Sequence, residues 1–138
     1  MLQRKQTIWL LLAALFTALT FKFPFYSVAE NESGAYKNII AMDALYTILS
    51  GIATALLCVV SVFLFRRLKL QLQFTWLTAL CSLLHIVLLY VSSVSAGKGN
   101  PSLTALLPLA AFLLVLAAAR GIRTDKRLLE EAYRNRLR

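Results

Sequence analysis

Residues 39–94 read IIAMDALYTILSGIATALLCVVSVFLF, then RRLK, then LQLQFTWLTALCSLLHIVLLYVSSV. The apolar blocks on either side of the basic turn, Ile39–Phe65 and Leu70–Val94, are 27 and 25 residues long. A helix rising about 1.5 Å per residue crosses the hydrocarbon core of a bilayer in about 20 residues. Lipid offers the backbone no hydrogen-bond partner, so each block is expected to be a helix. RRLK, Arg66–Lys69, is too short for anything but a tight turn, so the two helices run antiparallel.

The pattern repeats on both sides. An earlier block covers Thr7–Tyr26 (TIWLLLAALFTALTFKFPFY), and a later one covers Ser102–Ala119. The joints Val28–Asn38 and Ser95–Pro101 are polar and carry Gly and Pro, as loops do. The expected fold is all-α: a polytopic membrane protein of four antiparallel transmembrane helices. Residues 1–120 form that domain, with spans at about 7–26, 39–65, 70–94 and 102–119. Residues 121–138 form a basic tail that ends as a short amphipathic helix. Pro108 removes a hydrogen bond to the carbonyl of Thr104, and a kink is expected there.

Composition narrows the function classes. Of 138 residues, 59% are hydrophobic and only 15% charged, against about 25% charged in soluble domains. An ordinary soluble enzyme, a disordered tail and a disulfide scaffold are all excluded. The net charge of +9 does not imply nucleic acid, because the basic residues sit at the edges of apolar blocks. One side of the four blocks collects twelve: Arg4, Lys5, Arg66, Arg67, Lys69, Arg120, Arg123, Lys126, Arg127, Arg134, Arg136 and Arg138. The other side has Lys22, Lys37 and Lys98. This bias predicts that both termini are cytoplasmic. The sequon Asn31-Glu32-Ser33 then lies outside. MLQRKQ followed by an apolar run and Ser27-Val28-Ala29 imitates a cleavable signal. Lys22 and the aromatics Phe21, Phe23, Phe25 and Tyr26 crowd the cleavage point, so an uncleaved span is expected.

Four short stretches carry a family resemblance. The chain opens Gln3-Arg4-Lys5-Gln6-Thr7. In mid-chain it has Arg66-Arg67-Leu68-Lys69-Leu70-Gln71. Near its end it has Ile122-Arg123-Thr124-Asp125, and it closes Arg136-Leu137-Arg138. This resembles a family of small four-span proteins from Bacteroidota catalogued as domain of unknown function 4293. The resemblance covers essentially the whole chain and implies a bacterial membrane protein of four spans. It transfers no activity and no catalytic residue. Family members commonly have acidic residues after the Asp, where this chain has Lys126, and an Asp before the final Arg-Leu-Arg, where it has Asn135.

Few residues suggest chemistry. Lys22 and Asp43 are expected at the outer interface, close enough to pair, either as an ion-handling couple or as a snorkelling lysine in a structural pair. His85 lies one turn from Cys81, and Cys58 is on the neighbouring span. Their depths disagree, so no metal or other cofactor is expected, and His85 is expected to bond a hydroxyl on another helix. Ser50, Ser61 and Ser82 lack an acid to orient that histidine, so no catalytic set is expected. Gly51 with Ala55, and Ala14 with Ala18, have the small-xxx-small spacing that lets helices approach.

The tail carries the remaining signal. Thr124 or Asp125 can cap a helix, Leu129, Tyr133 and Leu137 form an apolar stripe, and Glu130–Arg134 is a favourable pair. The expected contact residues for anionic headgroups or a protein partner are Arg66, Arg67, Lys69, Arg123, Arg127, Leu129, Tyr133 and Arg134. The expected function is a non-enzymatic accessory or interaction subunit of the membrane, with no nucleic-acid partner. The alternative is a small transporter or ion-coupled carrier acting as a homo-oligomer through Lys22, Asp43 and His85.

Overall fold

The computed structural model describes residues 3–29 and 36–136. Four α-helices carry most of them: α1 (Gln3–Leu19), α2 (Leu45–Phe63), α3 (Leu68–Ser95) and α4 (Leu106–Arg136). Helix α2 packs on α1 and α3, and α4 packs on α3 and α1, so the four close a ring. Three of the helical stretches are long and apolar enough to cross a membrane: Leu45–Arg66, Leu68–Ser95 and Leu103–Asn135. The apolar part of α1, Lys5–Leu19, is shorter. The sequon, Gly34, Leu137 and Arg138 lie outside the described residues.

At one end, three short strands form an antiparallel sheet in the order β2-β1-β3. They are β1 (Tyr26–Ala29), β2 (Tyr36–Ile39) and β3 (Gly99–Pro101). This sheet departs from the all-helical expectation and moves two helix ends. Helix α1 stops at Leu19 instead of running to Tyr26. Pro24 disfavours helix at Phe23, and the chain turns as Phe23 N–H bonds Leu19 O at 3.0 Å. The hydroxyl of Thr104, just before the neighbouring α4, then donates to Pro24 O. Helix α2 begins at Leu45 rather than Ile39, because Ile39 pairs with Tyr26 in the sheet. Beneath the sheet, Phe25, Ile39, Ala41 and Leu89 form a buried cluster.

Helix α3 matches its apolar block within two residues at the start and one at the end. Helix α4 does not stop near Ala119 but runs unbroken to Arg136. The expected separate tail helix is therefore the continuation of α4. Thr124 does not cap it; its hydroxyl donates to Arg120 O at 3.0 Å inside the helix. Pro108 sits in the first turn of α4, where its missing N–H leaves nothing unpaired, so the expected kink has no cause.

The ring mixes polar with small and apolar side chains within, and is apolar without. Its buried positions recur every three and four residues on each element. They are 6, 10, 13, 17 and 20 at α1, and 47, 51, 54, 58 and 61 on α2. They continue at 71, 75, 78, 82, 85, 89 and 92 on α3, and at 108, 111, 115, 118, 122 and 125 on α4. That 3.5-residue period is the seam of left-handed helix packing. Every one of the thirteen buried polar residues among those described falls on it. Large apolar side chains such as Leu56, Phe63, Leu80 and Leu113 face outward. Water would reverse this arrangement. Lipid is as apolar as leucine and leaves the small and polar side chains to make the helix contacts. The threonines bring their own acceptors: Thr17, Thr54, Thr75 and Thr78 each donate to the carbonyl four residues back at 2.8–2.9 Å.

Candidate functional site

The end of the ring opposite the sheet gathers the basic residues. There Gln6 of α1 and Asp125 of α4, 119 residues apart in sequence, are both buried, and Gln6 Nε2 donates to Asp125 Oδ2 at 2.5 Å. Close packing accompanies the bond. Ile122 is fully buried, and a Cβ on Gly121 would stand 3.1 Å from Cγ of Gln6. Gln71 of α3 is buried at the same end. Three of the stretches that carry the family resemblance thus each place a buried polar residue at this end: Gln6 from the first, Gln71 from the second, Asp125 from the third.

Outside this clasp, the start of α3 and the C-terminal half of α4 border a shallow, open groove. One hollow of about 450 Å³ is lined by the turn residues Arg66, Arg67, Leu68, Lys69 and Leu70 and by Lys126, Leu129, Glu130 and Tyr133 of α4. A second of about 470 Å³ adjoins it toward the apolar belt, lined by Leu72, Trp76, Arg123, Lys126, Arg127 and Glu130. Lys126 and Glu130 belong to both and pair at 3.8 Å. Glu130 therefore turns back to Lys126, not forward to Arg134 as the sequence suggested. The Arg66 guanidinium lies 5.8 Å from the centre of the Phe65 ring, which steadies it at the turn.

Of the expected contact residues, Arg66, Arg67, Lys69, Leu129 and Tyr133 meet in the first hollow, and Arg123 and Arg127 line the second. Arg134 is exposed and lines neither. The sequence reading missed Lys126, Glu130 and Trp76. The signal was present in the spacing 126, 129, 130, 133, which places four residues on one helical face. Trp9 and Trp76 are both exposed near the basic end, as interface tryptophans are.

Among the described residues no bond joins the intramembrane candidates to one another. Asp43 Oδ2 accepts from the N–H of Ile40 at 2.7 Å and caps the approach to α2. Lys22 is exposed, and among the described residues no ion pair joins the two. His85 does reach a hydroxyl on another helix, with Nδ1 2.8 Å from Ser50 Oγ. Ser50 gives its single proton to Thr47 O at 3.0 Å, so it accepts from the Nδ1–H of His85. In that tautomer His85 takes no proton from Ser50, and its Nε2 is buried with no partner among the described residues. Cys58 is buried with Ala13, Ala79, Ala111 and Val115, and Cys81 is half-buried.

A family model described as Domain of unknown function (DUF4293) matches residues 2–135, nearly the whole chain, and the chain belongs to that family. No curated protein and no solved structure matches it.

Proposed function

We propose that this member of the family is an integral protein of a bacterial inner membrane, with four spans and its basic end in the cytoplasm. It acts there as a non-enzymatic accessory or interaction subunit. The polar seam and apolar exterior support the membrane setting, and the twelve-to-three division of basic residues supports the orientation. Helix α1 has 17 residues, about 26 Å of rise. Lys5 and Lys22 flank its apolar part and can snorkel to the two interfaces over that short length. With single cysteines on a background lacking Cys58 and Cys81, a membrane-impermeant thiol reagent applied to intact spheroplasts should label Lys98→Cys and spare Arg127→Cys. The reverse pattern would invert the topology.

The observation that carries the interaction reading is the groove. Residues from the α2–α3 turn and from α4, far apart in sequence, converge on one surface with six basic side chains and one acidic. Such a surface suits an anionic partner. A photo-crosslinker in place of Tyr133 should form defined adducts in cells. The double reversal Arg66→Glu with Lys126→Glu should reduce them about tenfold, whereas Lys98→Glu at the sheet end leaves them unchanged. Equal adducts in the double reversal would overturn the groove as the site. The carrier reading asks Lys22, Asp43 and His85 to work together, and their separate engagements give it no comparable support.

A further inference from the structure

We infer that the groove holds one anionic phospholipid whose headgroup carries two phosphates on a short bridge. This rests on the proposed interaction surface and names its occupant. The first argument is charge. Six basic side chains face one carboxylate, and that carboxylate is already engaged by Lys126. A headgroup with a single phosphate leaves most of this charge unmet; two phosphates meet more of it.

The second argument is shape. Two adjoining hollows lie along the groove, and each has its own basic group and its own apolar wall. Arg123 and Arg127 stand beside Leu72 and Trp76 in one. Arg66, Arg67 and Lys69 stand beside Leu129 in the other. On α4 the hollows are offset by three residues, from 123–130 to 126–133, or about 4.5 Å along the helix axis. One phosphate per hollow, joined through a short glycerol bridge, fits this offset. Lys126 lies between them as a donor to both.

The third argument is position. Trp76 is 52% exposed on the side of the groove nearer the apolar belt, where an interfacial indole marks the headgroup level. Acyl chains leaving the second hollow run onto the outward leucines of α3. A soluble acidic peptide would have no use for that exit, whereas a lipid requires it.

The test uses the full chain in nanodiscs of phosphatidylcholine doped with diphosphatidylglycerol or phosphatidylglycerol at equal total phosphate. Lipid retained after gentle detergent extraction is counted by mass spectrometry. The two-phosphate lipid should be retained about tenfold over phosphatidylglycerol. Lys126→Gln should bring the two together, because it removes the donor shared by both hollows. Arg134→Gln, outside both, should leave the preference intact. Lys126 is a surface side chain, and circular dichroism with an unchanged melting profile shows that its variant is folded. Equal retention of the two lipids, or a preference that survives Lys126→Gln in a folded variant, overturns the two-phosphate occupant. If neither anionic lipid exceeds phosphatidylcholine while the Tyr133 adducts remain sensitive to charge reversal, the occupant is a protein. In that case the lipid inference fails and the interaction reading stands. If adducts and lipid retention are both insensitive to reversal, the interaction reading itself fails.

Discussion

Replacing Gln6 by leucine is expected to destabilise the protein more than replacing its partner Asp125 by leucine. Both side chains are buried and joined at 2.5 Å, but they differ in what each leaves behind. Gln6→Leu strands a buried carboxylate without its donor, at a cost of about 3 kcal/mol or more. Asp125→Leu strands a neutral amide, at about 1–3 kcal/mol. The double substitution removes both polar groups and should cost less than the sum of the singles, with a coupling of about 1–2 kcal/mol. Unfolding in mixed micelles, followed by helical circular dichroism, measures all four corners of the cycle. Additive effects would show that the bond is incidental to the α1–α4 contact. Because the groove residues of α4 flank Asp125, Gln6→Leu should also weaken adducts from Tyr133. A variant that loses stability but keeps full adduct formation would separate the clasp from the groove.

The sequence revealed what a hydropathy window can see. Helix α3 was legible almost to the residue, because Leu70–Val94 is long, continuous and free of breakers. The ends of α1 and α2 were not, because Tyr26–Ala29 and Tyr36–Ile39 are four-residue runs. At that length, helix and strand share the same apolar pattern. Only the tertiary pairing of Tyr26 with Ile39 on one side and Pro101 on the other decides the matter. The continuity of α4 was hidden by reading Thr124 and Asp125 as capping residues. Both types cap helices well, but here one donates within the helix and the other faces α1. The basic residues that line the groove were legible because charge at a block edge is a local signal. Lys126 was missed as the joint between two hollows because that role depends on where α3 begins. The polar seam was open to reading at a 3.5-residue spacing. Weighing Ser and His one at a time for chemistry concealed that, with the threonines, they share the packing surface with the small apolar residues.

Gly51→Val is the second large expected effect, and it tests that seam directly. Gly51 is buried on α2, and a Cβ there would stand 2.5 Å from Phe21 Cζ and 3.1 Å from His85 Cε1. The small residue is thus used within the chain, against the turn after α1 and against α3. Alanine would displace the ring edge of the half-buried Phe21, which can swing aside, so Gly51→Ala should cost little. Valine adds two methyls to that Cβ, held in one rotamer, and presses harder on His85, drawing its Nδ1 from Ser50. Overpacking of this kind costs about 1–3 kcal/mol. The two clashes separate in a cycle with Phe21→Ala. That change should absorb most of the cost of Gly51→Ala but only part of the cost of Gly51→Val, since His85 still stands in the way. Adding His85→Ala to the valine variant should then recover the remainder. The readouts are micelle unfolding and the imidazole NMR signals of His85, which report the bond to Ser50. If Gly51→Val unfolds like the parent and leaves the imidazole signals in place, the helices are not held at this seam. The inward polar residues would then need another reason to face one another.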